Sequence, residues 1–175
     1  MRQQPAFNLL IGEENPQISS RMKRYLQGQC GFAVTAVATT EDLLAALAAG
    51  HGEENGRFNI LLIPDALPSL KKNKPVVIAR RLMPYIHEQY PDLFTFILSD
   101  SDFSAVELRR VGVQRQLPAQ PKLPELGLAV QDAADYLHLK RLALATQDQT
   151  NQWRREVQHK QSQLFTLRQT VDPGQ

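Results

Sequence analysis

Phe7-Asn8-Leu9-Leu10-Ile11-Gly12-Glu13-Glu14-Asn15-Pro16 decides the fold. Its first six residues are apolar apart from Asn8, with no polar alternation, as a strand buried on both faces of a parallel sheet requires. Asn15 followed by Pro16 is a helix start, the asparagine capping and the proline occupying the first turn. Ile18, Met22 and Leu26 then recur on one helical face. The stretch therefore reads as strand, acidic turn, capped helix.

The same unit repeats downstream. Gly31 breaks the chain, and Phe32-Ala33-Val34-Thr35-Ala36-Val37, rich in β-branched residues, predicts a second strand. Thr39-Thr40-Glu41-Asp42 caps a second helix, Leu43-Leu44-Ala45-Ala46-Leu47, which ends at Gly50. After a polar loop, Phe58-Asn59-Ile60-Leu61-Leu62-Ile63 is the third and most apolar strand. A proline-bounded stretch, 64–75, leads into a third helix over 76–90, with Ile78, Leu82, Ile86 and Tyr90 on one face. Phe94-Thr95-Phe96-Ile97-Leu98 is a fourth strand, 103–111 a short helix closed by Gly112, and 113–117 a weak fifth strand. Strand and helix alternating in this way imply an α/β fold, a parallel sheet wrapped by helices.

Composition narrows the function without naming it. The chain has 175 residues, 42% of them hydrophobic, enough for a real core. Twenty basic residues against 18 acidic ones leave +2, too weak a field to argue for nucleic acid or membrane. Cys30 is the lone cysteine, so no internal disulfide forms, and it reads as a small half-buried apolar residue. No apolar run nears the roughly 20 residues that span a bilayer, and no signal core follows the N-terminus. The expectation is a cytoplasmic protein. His51, His87, His138 and His159 have no ligand-like spacing, and the chain lacks a glycine-rich phosphate loop, a Gly-x-Ser-x-Gly elbow and a Cys-x-x-Cys pair.

The opening stretch, with an apolar strand running into an acidic pair and then a proline, resembles the response-regulator receiver (CheY-like) domain of two-component phosphorelay systems. The order and spacing of all five strands over residues 7–132 extend the resemblance. It implies a flavodoxin-like doubly wound sheet of five parallel strands, with the site at the carboxyl ends of the strands.

The resemblance also implies a set of chemical positions. Glu13 and Glu14 match the acidic pair that holds magnesium, each one methylene longer than aspartate. The phospho-accepting aspartate should stand four residues before a proline; counting back from Pro68 lands on Pro64, which carries no nucleophile and no carboxylate. Asp65, one residue later, is the alternative acceptor. Ser99 matches the switch hydroxyl after the fourth strand. The lysine before a proline is matched only by Gln120 before Pro121, with one inserted residue, and Arg115 or Gln116 falls where the family has an aromatic. Phosphoryl transfer needs metal and cation together to stabilise developing charge. With the acceptor, lysine and aromatic gone, the chain reads as a pseudo-receiver that is not an enzyme and needs no cofactor; magnesium enters only if the acidic pair functions.

Simpler readings stand beside these. Glu13 and Glu14 are also explained as carboxylates in the first turn, at a helix N-terminus, Ser99 as a helix cap beside Asp100 and Asp102, and Lys71-Lys72-Asn73-Lys74 as a solvated loop. A nucleotide-binding enzyme of the same topology is disfavoured, because Glu13 and Glu14 would repel phosphate where its cradle should lie.

From Tyr136 to Pro173 glycine and proline vanish, and a helical extension is expected over 133–175, separate from a receiver-like domain over 1–132. Tyr136, Leu139, Ala143, Thr146, Thr150, Trp153, Val157, Lys160, Leu164, Leu167 and Val171 alternate steps of three and four, the seam of a left-handed coiled coil diluted by two threonines and a lysine. A single amphipathic helix is the competing reading. Arg154, Arg155, Lys160 and Arg168 are a weak basic signal beside Glu156 and many glutamines, so no nucleic acid is expected. The favoured function is a phosphorylation-independent signalling module that binds protein partners (a histidine kinase, an output domain or another signalling protein) and forms a homodimer through the tail. The alternative is a phosphorylatable receiver using Asp65, with magnesium on Glu13 and Glu14.

Overall fold

The computed structural model describes residues 7–50, 57–71 and 75–171, with backbone only at 79–80 and 164–171. The chain divides into two compact units, residues 1–135 and 136–175.

In the first unit the elements run β1 (Asn8–Gly12), α1 (Pro16–Cys30), β2 (Ala33–Val37), α2 (Thr40–Gly50), β3 (Phe58–Pro64), β4 (Ala66–Leu67), β5 (Val76–Val77), α3 (Met83–Gln89), β6 (Phe94–Leu98), α4 (Ala105–Arg110), β7 (Arg115–Leu117) and the start of α5 (Leu123–Val171). Five strands form one sheet in the order β2-β1-β3-β6-β7. All pair in parallel, Leu10 against Thr35 and Leu61, Ile63 against Ile97, Leu98 against Leu117. This is the flavodoxin-like doubly wound α/β sheet expected from the sequence.

The continuous apolar runs are explained by burial on both faces. Leu9, Leu10, Ile11, Ile60, Leu61, Leu62, Ile63, Phe96 and Ile97 are fully buried, at about 1.5–3 kcal/mol per large side chain. Because strand residues alternate sides, Leu10, Leu61, Ile63 and Ile97 join Leu43 and Leu47 of α2 and Met83 and Ile86 of α3 in one cluster. Met22 and Leu26 of α1 and Leu126, Ala129, Val130 and Ala133 of α5 are buried outside this cluster. At Gly127, α5 comes so close to α1 that a Cβ would lie 2.9 Å from Tyr25 Cε1 and 3.2 Å from Cys30 Sγ.

The start of α1 is as the sequence predicts. Asn15 caps it, accepting from the N–H groups of Gln17 (2.9 Å) and Ile18 (3.4 Å), with Pro16 in the first turn. Thr39 accepts from the N–H of Asp42 ahead of α2.

Three expectations are corrected. Val76 and Val77 are not helical; they pair antiparallel with Ala66 and Leu67, as β-branched residues after a proline favour. The helix opens instead at Ile78 with a π turn through Leu82, Met83 N–H donating to Ile78 O, before α3. Pro84 has no N–H to continue an α ladder into that turn, which accounts for the break. The fourth helix is shorter than 103–111, and the fifth strand starts at Arg115, because Val113 N–H turns back to Leu108 O.

The helix expected from Tyr136 is the continuation of one that begins at Leu123. In the second unit Leu137 is buried, Val157 half-buried, and the other described side chains through Gln163 are exposed. Leu164, Leu167 and Val171 lie outside the described side chains, and His51 and residues 72–74 outside the described residues.

Candidate functional site

Parallel strands bring their carboxyl ends to one edge, and there the chain gathers its polar side chains. Pro64, the last residue of β3, pairs with Leu98 of β6. The position at which the receiver resemblance implies a phospho-acceptor is thus a proline within the sheet. Asp65 follows directly. Its backbone oxygen accepts from Ile78 N–H, which fixes the entry to the π turn.

The Asp65 carboxylate is held by serines. Oδ2 accepts from Ser99 Oγ at 2.5 Å and from Ser101 Oγ at 3.4 Å, while Oδ1 is buried with no donor. Ser99 is itself buried; its Oγ accepts from Ser101 N–H at 2.9 Å, and its N–H donates to Leu117 O. Gln116 completes the network, its Nε2 donating to Ser99 O (3.0 Å) and Ser101 O (2.6 Å). Asp100 Oδ1 accepts from Ala119 N–H. The ends of β3, β6 and β7 are therefore tied by side-chain bonds as well as by the sheet.

Glu13 and Glu14 do not join this network. Glu13 lies before the helix cap, not in the first turn; its Oε1 accepts from Asn15 N–H at 2.9 Å and its own N–H donates to Val37 O. Among the described residues no three carboxylate, imidazole or thiol groups gather to hold a metal ion. Glu13 is thus engaged at the helix start and Asp65 by serines.

Gln120 is exposed and lines a shallow groove of about 160 Å³ with Ile18, Arg21, Met22, Pro121, Lys122 and Leu123, beside α1. The side chain that reaches Ser99 is Gln116. Ser99 does not cap a helix; α4 is capped by Ser104, in a reciprocal box with Glu107.

Two contributors escape sequence reasoning. Ser101 is visible only as part of the polar run Ser99-Asp100-Ser101-Asp102. Glu41, read as part of a cap, reaches out to accept from Ser69 Oγ (2.6 Å), Leu70 N–H (2.9 Å) and Lys71 N–H (3.4 Å), pinning the segment after β4. The Ser69 hydroxyl, and then the Leu70 N–H, hold its carboxyl at about 2. Burial pushes the Cys30 thiol up, away from the reactive thiolate.

No protein-family model matches the sequence, and no curated protein matches it. Solved structures do. A CheY-like response-regulator receiver domain protein from Methanospirillum hungatei is 18% identical with a TM-score of 0.64, the match covering 78% of this chain and 99% of the other. The chain has the receiver-domain fold. A response-regulator receiver domain protein from Clostridium thermocellum is similar at 15% identity and TM-score 0.62, over 76% of this chain and 98% of the other. An orphan response regulator of H. pylori is similar at 16% identity and TM-score 0.58, over 74% and 99%. In this receiver fold the Asp65–Ser99–Gln116 network occupies the carboxyl ends of the strands, where doubly wound sheets place their sites. No described helix is long and apolar enough to cross a membrane.

Proposed function

We propose that this chain is a cytoplasmic signalling module of the response-regulator type that works without aspartyl phosphorylation and without catalysis. It binds protein partners, such as a histidine kinase or an output domain, through its receiver-like part (1–132) and dimerises through its helical extension (133–175). The observation that carries this reading is the Pro64-Asp65 pair. Proline offers no carboxylate where the acceptor belongs, and the neighbouring carboxylate is engaged by Ser99 and Ser101, with its other oxygen buried. The exposed Leu139 and Trp153 support the dimer.

One observation favours a second reading. Asp65 lies within hydrogen-bond reach of the Ser99 hydroxyl, so a small opening of the network would present it as a phospho-acceptor. Intact mass and light scattering on the full chain, with magnesium and a small phosphoryl donor, separate the two. The expected result is no phosphoryl gain and a dimer mass indifferent to the donor. A phosphoryl adduct that disappears in Asp65→Asn would overturn the proposal in favour of the switch.

A further inference from the structure

The seam of α5 passes through Leu139, Ala143, Thr146, Thr150, Trp153, Val157 and Lys160. Leu139 and Trp153 are 65% and 69% exposed, so among the described residues nothing covers the stripe. Its two flanks differ in charge. One side of the seam carries Lys140, Gln147, Arg154 and Gln161; the other carries Asp135, Leu142, Gln149, Glu156 and Gln163. Every charge on the first flank is positive and every charge on the second is negative.

Orientation follows from this separation. Antiparallel helices lay each flank against its own copy, massing Lys140 with Arg154 on one side and the acids on the other. Parallel helices lay the basic flank against the acidic flank, bringing Asp135 to Lys140 and Gln149 to Arg154 of the second copy with no like-charge pair between the flanks. We infer that two copies of this chain pair through α5 in parallel and in register. The inference rests on the proposed dimer. Its one opposing feature is Lys160, which meets its own copy at one layer, but Glu156 stands four residues earlier on each helix, the favourable spacing and order for compensating it.

The test uses the full chain with Cys30→Ser and single cysteines at Thr146→Cys or Lys160→Cys, two heptads apart on the seam, with Asp148→Cys on the outer face as control. A disulfide requires Cα atoms within about 7 Å. Parallel pairing predicts covalent dimers at both seam positions and not at Asp148 after air oxidation. Antiparallel pairing places at most one seam position against itself, so a light-scattering dimer that cross-links at one or neither overturns the orientation and leaves the dimer standing. A monomeric mass overturns both. Cross-linking at Asp148 equal to that at the seam marks collision and overturns the inference as well.

Discussion

The hydroxyl of Ser99 donates to Oδ2 of Asp65 across 2.5 Å, joining the residue after β6 to the residue after β3. Asp65 is half-buried with its Oδ1 already lacking a donor, so its carboxylate depends on Ser99; an acceptor buried without a donor costs about 1–3 kcal/mol. Ser99→Ala leaves Oδ2 with only the 3.4 Å contact to Ser101 and removes the acceptor for Ser101 N–H. The urea midpoint is expected to fall accordingly. In a double-mutant cycle with Asp65→Ala the coupling should reach at least about 0.5 kcal/mol; additive losses would show that the two residues are not energetically linked.

Glu41 gives the fold an acid-sensitive tie. Its carboxyl sits at about 2 in the folded chain against an ordinary 4.5, so the folded state favours the ionised form. A depressed pKa contributes stability that is present above the unfolded value and lost as pH falls towards the folded one. The urea midpoint of the parent should therefore exceed that of Glu41→Gln at pH 6, and the gap should close progressively from about 4.5 down to about 2. A gap unchanged at pH 3 would sever Glu41 from the loop at Ser69–Lys71.

The short helix α4 is held by its cap. Ser104 accepts from Glu107 N–H while Glu107 accepts from Ser104 N–H; Val106 on its surface is 75% exposed, and Leu108 alone of the helix packs partly against the core. Ser104→Ala should cost about 1 kcal/mol and raise hydrogen exchange in α4 first. Uniform loss of protection across the sheet would argue against a local role.

Two glycines should respond to alanine with opposite signs. Gly112 has φ of 77°, and a Cβ there would lie 2.2 Å from His87 Cγ, so Gly112→Ala meets a left-handed penalty of about 1–2 kcal/mol plus a clash. Gly28 lies inside α1, and a Cβ there would meet no other part of the chain within 4 Å, so Gly28→Ala should stabilise by about 0.5–1 kcal/mol. Thermal melts of the two variants, compared with the parent, read both signs directly.

The fold was legible because its signals are local. Apolar runs such as Ile60–Ile63 and the Asn15-Pro16 cap announce strand and helix within a few residues. The hairpin of β4 and β5 was hidden because Ala66 and Leu67 find their partners across a loop, and nothing within two residues marks such a pairing. In the site, Pro64, Asp65 and Ser99 were identifiable by position, but their mutual bonding was not. Gln116 and Gln120 look alike in sequence; only the sheet register, which sets Gln116 against Ile97, decides which one reaches Ser99. Glu41 escaped because its partners lie about thirty residues away.

The contact between Gly112 and His87 sets a different kind of constraint from the one at the strand ends. At the strand ends the sheet tolerates even a proline, since Pro64 pairs with Leu98 in an intact ladder. Position 112 has no such freedom, because any side chain there collides with α3. Among descendants of this sequence the invariant residues should accordingly be those dictated by space, with chemical motifs diverging around them, and ancestry will be traced more surely through the glycine than through the acids.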